Sequence, residues 1–331
     1  MKNISLGVTA VAMSLLGALF LVAQNPGSHG MLLPPAGSGT LNFNAIAILR
    51  WYPANQATTF TVGSEPDGVT FDGSAVWVAN LGSNTVSKLK ASDGTLLGTF
   101  NLTSPCFGAF DGANIWVSNY SASSVTKIRA SDGTVLATVG VGSYPQALAF
   151  DGANIWVANN GNGGGNTVSK IQATTGTVLG TFTVGASPLG VAFDGANIWV
   201  SNQQSNSVTE LNENGSILRT VAVGSDPTLM AFDGANMWVV NSGSNTVTVV
   251  HTSNGAVWGT VKVGSNPAGI AFDGVNMWVG ETNGSSTVTK IQASTGKILG
   301  TFTSGTSPGN LGFDGANIWA ANEGAGTVSK L

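Results

Sequence analysis

Short apolar runs of four to seven residues alternate with polar turn clusters along almost the whole chain, and the alternation recurs about every 40 residues. One unit illustrates it. Gly190–Phe193 is a first run, Asp194-Gly195-Ala196-Asn197 a turn, Ile198–Asn202 a second run, and Gln203–Asn206 a polar link. Ser207–Leu211 follows, then Asn214-Gly215, then Ile217–Val223. Runs this short, rich in Val, Ile, Thr, Phe and Trp, read as strands rather than helices. Asp-Gly and Asn-Gly stand where a tight hairpin requires positive φ.

The unit repeats seven times. Phe-Asp-Gly begins at Phe71, Phe110, Phe150, Phe193, Phe232, Phe272 and Phe313, and a tryptophan follows each phenylalanine by six residues, from Trp77 to Trp319. Four antiparallel strands per repeat, seven times over, predict an all-β, seven-bladed β-propeller. The last copy ends after its third strand, at Thr327–Lys330. Thr58-Thr59-Phe60-Thr61-Val62-Gly63 resembles the fourth-strand sequence Thr181–Gly185, so an N-terminal strand is expected to complete the last blade and close the ring. The propeller then occupies residues 57–331. The regular Phe and Trp positions read as packing between sheets, and the aspartates of Phe-Asp-Gly as hairpin residues.

Ahead of it, Met1-Lys2-Asn3 and the uncharged apolar run from Ile4 to Ala23 have the layout of a signal peptide (residues 1–23), with a retained membrane anchor as the other reading. Residues 24–56 form a linker in which Phe43–Tyr52 is apolar enough to dock on the ring. A secreted or periplasmic location follows from the signal reading, with no membrane span after cleavage and a monomeric state expected.

Composition narrows the function. Only 8% of the 331 residues are charged and the net charge is -4, which excludes a disordered chain and argues against a nucleic-acid partner. The single cysteine, Cys106, allows no intrachain disulfide and reads as a small buried hydrophobe.

Candidate chemistry gathers on one face, where the loops entering the first strand meet those joining the second to the third. The second strands end in Asn80, Asn119, Asn159, Asn202, Asn241, Glu281 and Asn322. These form either a polar rim for a small ligand or ion, or caps that bond their own loops. Positions flanking the loop prolines differ between copies. Glu65, Asp67, Tyr144 and Asp226, with Glu281, are expected to converge on that rim as a ligand-binding set. No cofactor is expected, although such oxygen donors would suit calcium or magnesium. The third and sixth copies carry longer loops, Asn159–Asn166 and Thr282–Ser285.

FDGANIWVAN, followed by SNTVSKI and GTFTVG, resembles the YVTN-type propeller repeat, and the layout is similar to the virginiamycin B lyase group. The resemblance covers residues 58–331. It implies a seven-bladed propeller and, for the lyase group, elimination chemistry on a macrocyclic lactone with histidine, glutamates and magnesium. Glu281 is the position that matches that group's acidic second-strand end, and so is the catalytic candidate of that reading. The histidines here are His29, in the N-terminal segment, and His251, at the end of a third strand leading away from the mouth. The leading expectation is therefore a binding or interaction module without a catalytic set, its partner a small molecule or protein at the mouth. A lyase- or lactonase-like enzyme and a cell-surface structural repeat protein are the alternatives.

Overall fold

A computed structural model describes residues 57–331. The expected signal segment, the 24–56 linker with Phe43–Tyr52, and His29 lie outside the described residues. Among those described, no helix is long and apolar enough to cross a membrane.

Seven four-stranded antiparallel sheets make up the fold. Each of the first six blades uses consecutive strands: the first, for example, is Pro66–Phe71, Ala75–Asn80, Thr85–Lys90 and Leu96–Asn101. The seventh is composite. Its inner three strands are Pro308–Phe313, Ile318–Asn322 and Thr327–Lys330, and its outer strand is β1, Thr58–Thr61. Thr58 pairs with Lys330 and Thr61 with Thr327, and the Val62 N–H donates to the Gly326 carbonyl at 3.0 Å. The first strand of every blade touches the first strands of both neighbours, so the ring is complete.

The spacing of Phe-Asp-Gly and tryptophan has a specific cause. In the first blade, one Asp72 carboxylate oxygen accepts the backbone N–H groups of Ser74 and Ala75, and the other accepts the Trp77 indole N–H at 2.8 Å. The same indole bond, at 2.7–2.8 Å, joins Asp111–Trp116, Asp151–Trp156, Asp194–Trp199, Asp233–Trp238, Asp273–Trp278 and Asp314–Trp319. The aspartate therefore shapes the hairpin and also satisfies the one polar atom of a tryptophan buried between blades. The intervening glycine has φ near +95° (Gly195), a conformation side chains avoid.

Adjacent blades are clasped at their outer halves. Lys88, Lys127, Lys170 and Lys330 lie over the tryptophan of their own blade, and each donates to a turn carbonyl of the next: Ala130, Ala173, Glu213 and Ala91. In the fourth blade, Glu210 takes this place and pairs with Arg219 at 2.6 Å. Phe60, Phe100 and Phe182 cover the turn glycines Gly94, Gly133 and Gly215 of the following blade, where a β-carbon would strike the ring.

Candidate functional site

The mouth is built by one repeated hydrogen bond. The residue after each second-strand Asn or Glu donates its N–H to the carbonyl of the residue before the loop proline: Leu81 to Glu65, Tyr120 to Ser104, Asn160 to Tyr144, and so on to Glu323 and Ser307. This zips the two loop sets together on one face. The pre-proline residues Glu65, Ser104, Tyr144, Ser187, Asp226, Asn266 and Ser307 all have φ between 45° and 58°. Seven different environments thus present varied side chains from one backbone conformation. Just inside, every first strand carries a β-bulge between its first and fourth residues, as at Pro66/Val69. The bulge frees the post-proline residue from strict pleat alternation and lets it contact its counterpart in the next blade.

Those post-proline residues are Asp67, Cys106, Gln146, Leu189, Thr228, Ala268 and Gly309. Polar groups are concentrated on one arc. The Cys106 thiol donates to the Asp67 carboxylate at 2.9 Å, with the Gln146 carbonyl 3.6 Å from the same sulfur. Glu323, from the seventh blade, faces Asp67 and Glu65 closely enough for their charges to act on it. Burial pushes the Asp67 pKa up to about 6, the thiol bond offsetting part of that rise. Loss of surrounding water, and then the charges of Asp67 and Glu65, push Glu323 up to about 7, although solvent still reaches it from the mouth. Burial first, and then the Asp67 charge, hold Cys106 firmly in its protonated form. Cys106 is buried as expected, but its partner is a carboxylate, so it is no ordinary hydrophobe.

Tyr144 stands beside Tyr120 in an edge-to-face pair, centroids 5.0 Å apart, and the Tyr120 hydroxyl reaches Asn162 of the enlarged third-blade loop at 3.4 Å. All ten described lysines and arginines lie in strands, and none lies in the loops of this face.

The expected rim set is thus only partly assembled. Glu65 and Asp67 both face Glu323, and Tyr144, beside Tyr120, lies on the same arc. Asp226 is exposed on the fourth-to-fifth blade loop, away from the acid pair. The asparagines lie inside the blades rather than along a rim. Asn80, Asn119, Asn159, Asn202, Asn241 and Asn322 are buried, and each amide donates to two hydroxyls of the adjacent third strand at 2.8–3.2 Å. The side-chain carbonyls of Asn159, Asn202 and Asn322 also accept the N–H of Gly142, Gly185 and Gly305, fastening the incoming loop. Glu281 does the same work with reversed polarity. Its buried carboxylate accepts from Thr287, Thr289 and the Gly264 N–H. His251 ends its strand at the opposite end of the sheet, opposite Asn236.

Glu323, Cys106, Gln146 and Tyr120 were missed as site residues. The signal for Glu323 and Tyr120 was a second variable column, the residue just past the conserved Asn, which reads Leu, Tyr, Asn, Gln, Ser, Thr, Glu around the ring. Among the described residues, no group of three or more His, Cys, Asp or Glu side chains is placed to hold a metal ion.

No protein-family model and no curated protein matches the sequence. Solved structures match its shape. Virginiamycin B lyase from Staphylococcus aureus superposes with a TM-score of 0.70 at 20% identity, covering 83% of this chain and 98% of that one. Kuenenia stuttgartiensis hydrazine synthase gives 0.70 at 19% identity, covering 81% and 96%. At such identity the likeness establishes the seven-bladed fold and nothing of activity.

Proposed function

We propose that this chain is a binding module whose mouth captures a small cationic molecule, such as an organic amine, on the arc of Asp67, Glu65, Glu323, Tyr120 and Tyr144. One observation carries the reading. The Asp67 carboxylate lies against the Cys106 thiol with Glu323 facing it; Asp67 stands where other blades use Leu189, Thr228, Ala268 and Gly309, and Glu323 where they use Leu81, Gln203, Ser242 and Thr282. No other blade carries an acid at either of these two positions, so their cost here is a cost of function. A bound cation would relieve it, and the tyrosine faces offer a second attraction. The lactone-opening alternative has less support, because the Glu281 carboxylate is already engaged by three internal donors. A calcium or magnesium ion at the rim remains an arm of the test. The reading carries with it a location outside the cytoplasm, argued from the apolar segment 1–23, and, separately, a monomeric state; the mass of the mature chain tests cleavage.

Calorimetric titration of a panel of amines against the full chain tests the function, with calcium and magnesium alongside. Binding should tighten as pH rises from 5 to 8, because Asp67 and Glu323 gain charge across that range. Asp67→Asn with Glu323→Gln should abolish it. Retained affinity in that double variant, or affinity independent of pH, would refute the reading.

A further inference from the structure

The repeats act as internal controls for one another, and four departures from their common pattern converge on the seam between the fifth and sixth blades. The position held by Lys88, Lys127, Lys170, Lys290 and Lys330, and by Glu210 in the fourth blade, is Val249 in the fifth. Val249 pairs with Gly259 as Lys88 pairs with Gly98, so the position is the same and only the side chain has changed. The outer-strand leucine of the other covalently continuous blades (Leu97, Leu136, Leu179, Leu218, Leu299) is Trp258. Lys262 replaces Asn101, Gly140, Thr183, Ala222 and Thr303. Lys297 replaces Thr95, Thr134, Thr177, Ser216 and Ala256.

At this seam lies a solvent-open groove of ≈ 450 Å³ lined by Trp258, Val261, Lys262, Thr295, Gly296 and Ile298, within the size range of small-molecule sites. Val261 stands where Phe100 and Phe182 plug their seams. Val261 lies over Gly296, 3.3 Å from where a β-carbon would sit, as Val139 lies over Gly176, and the edge of the Trp258 ring passes over the same glycine at 3.5 Å. Trp258 remains 46% exposed and Ile298 43%, so the floor is apolar and open to solvent. Lys262 is one of the lining residues, and Lys297 lies between two of them, Gly296 and Ile298. Both are exposed, and neither forms an ion pair among the described residues.

We propose that this groove binds a small organic anion with a flat apolar body, the class of aromatic carboxylates and sulfonates. The indole and the aliphatic floor would cover the ring, and the two unpaired ammonium groups would meet the acid. In a chain with net charge -4, two unpaired cations beside the groove set the sign of its ligand. The site is separate from the mouth and does not depend on the amine reading.

The test is titration of the full chain with naphthalene-2-carboxylate, read by indole fluorescence and calorimetry, with the neutral 2-naphthylmethanol as comparator. Trp258→Leu installs the residue other blades carry and should leave melting unchanged while weakening binding about tenfold. Lys262→Thr with Lys297→Thr should weaken the carboxylate about threefold or more and leave the alcohol unaffected. Val249→Lys restores the clasp residue and should close the groove to both. Three results would overturn the proposal: no saturable binding of the carboxylate, equal affinity for the alcohol, or unaltered affinity in Trp258→Leu.

Discussion

At the hairpin end of the ring, the aspartate of every blade accepts turn N–H groups and the indole of its own tryptophan. At the mouth, acids occur in only some blades and treat one another badly. For Asp72, Asp111, Asp151, Asp233, Asp273 and Asp314, burial opposes the charge, but indole, amide and backbone N–H donors outweigh it and lower the pKa. For Asp67 and Glu323, burial acts with little compensation, and the pKa rises. The same functional group is thus structural where donors converge on it and strained where they do not. The contrast separates scaffold acids from candidate ligand-binding acids without any reference to another protein.

The largest expected effect comes from breaking the scaffold side. Asp111→Ala removes the acceptor of the Trp116 indole and of the turn amides, and should cost about 3 kcal/mol in chemical denaturation. A loss under about 0.5 kcal/mol would erase the distinction. The six lowered aspartates also fix an acid limit. Their stabilisation is complete above the ordinary value of 3.8 and is lost as pH falls through their lower folded values. Melting temperature should therefore drop steeply only below about pH 4.

Asp67→Asn should act in the opposite direction. A carboxyl whose folded pKa is raised destabilises the fold as pH climbs from 3.8 and does so fully above about 6. The variant should gain about 2 kcal/mol at pH 8 and almost nothing at pH 4, read as paired melting curves. A gain independent of pH would mean that packing, not charge, is responsible. The smallest effect concerns Cys106. Held protonated and buried, it should resist iodoacetamide in the folded protein at pH 8 and react only after unfolding. Rapid labelling of the native chain, followed by mass spectrometry, would argue for an open, reactive mouth.

The ring, its blade count and its closure were legible because Phe-Asp-Gly and tryptophan recur without exception and the outer strand of the last blade is visibly missing from its own repeat. The Asp–Trp bond was not legible. A five-residue separation looks like two independent uses, a turn and a core, until the hairpin folds the indole back over the carboxylate. The mouth was half legible. Glu65 and Asp67 flank a proline that marks their loop, whereas Glu323 arrives from another strand end nearly the whole length of the ring away in sequence. The asparagines were legible in one of their two readings. Their regularity suited a ring around the axis or caps for nearby loops; each bonds threonine or serine two strand positions apart on its neighbour, and Asn159, Asn202 and Asn322 also hold the incoming loop, a capping role. Glu281 took the same place with a carboxylate because its partners Thr287 and Thr289 are hydroxyl donors and can turn their protons toward it.

The composite seventh blade has a consequence for synthesis. Thr59 and Ser329 are 270 positions apart, so at roughly 5 to 20 residues per second the strand that fastens the wheel must wait some tens of seconds for its mate to leave the ribosome. During that interval three threonines in four residues keep it soluble and poorly sticky, a reason for the latch to be drawn from Thr58-Thr59-Phe60-Thr61 rather than from ribbons that open on two large apolar residues, as the outer strands of the first five blades do.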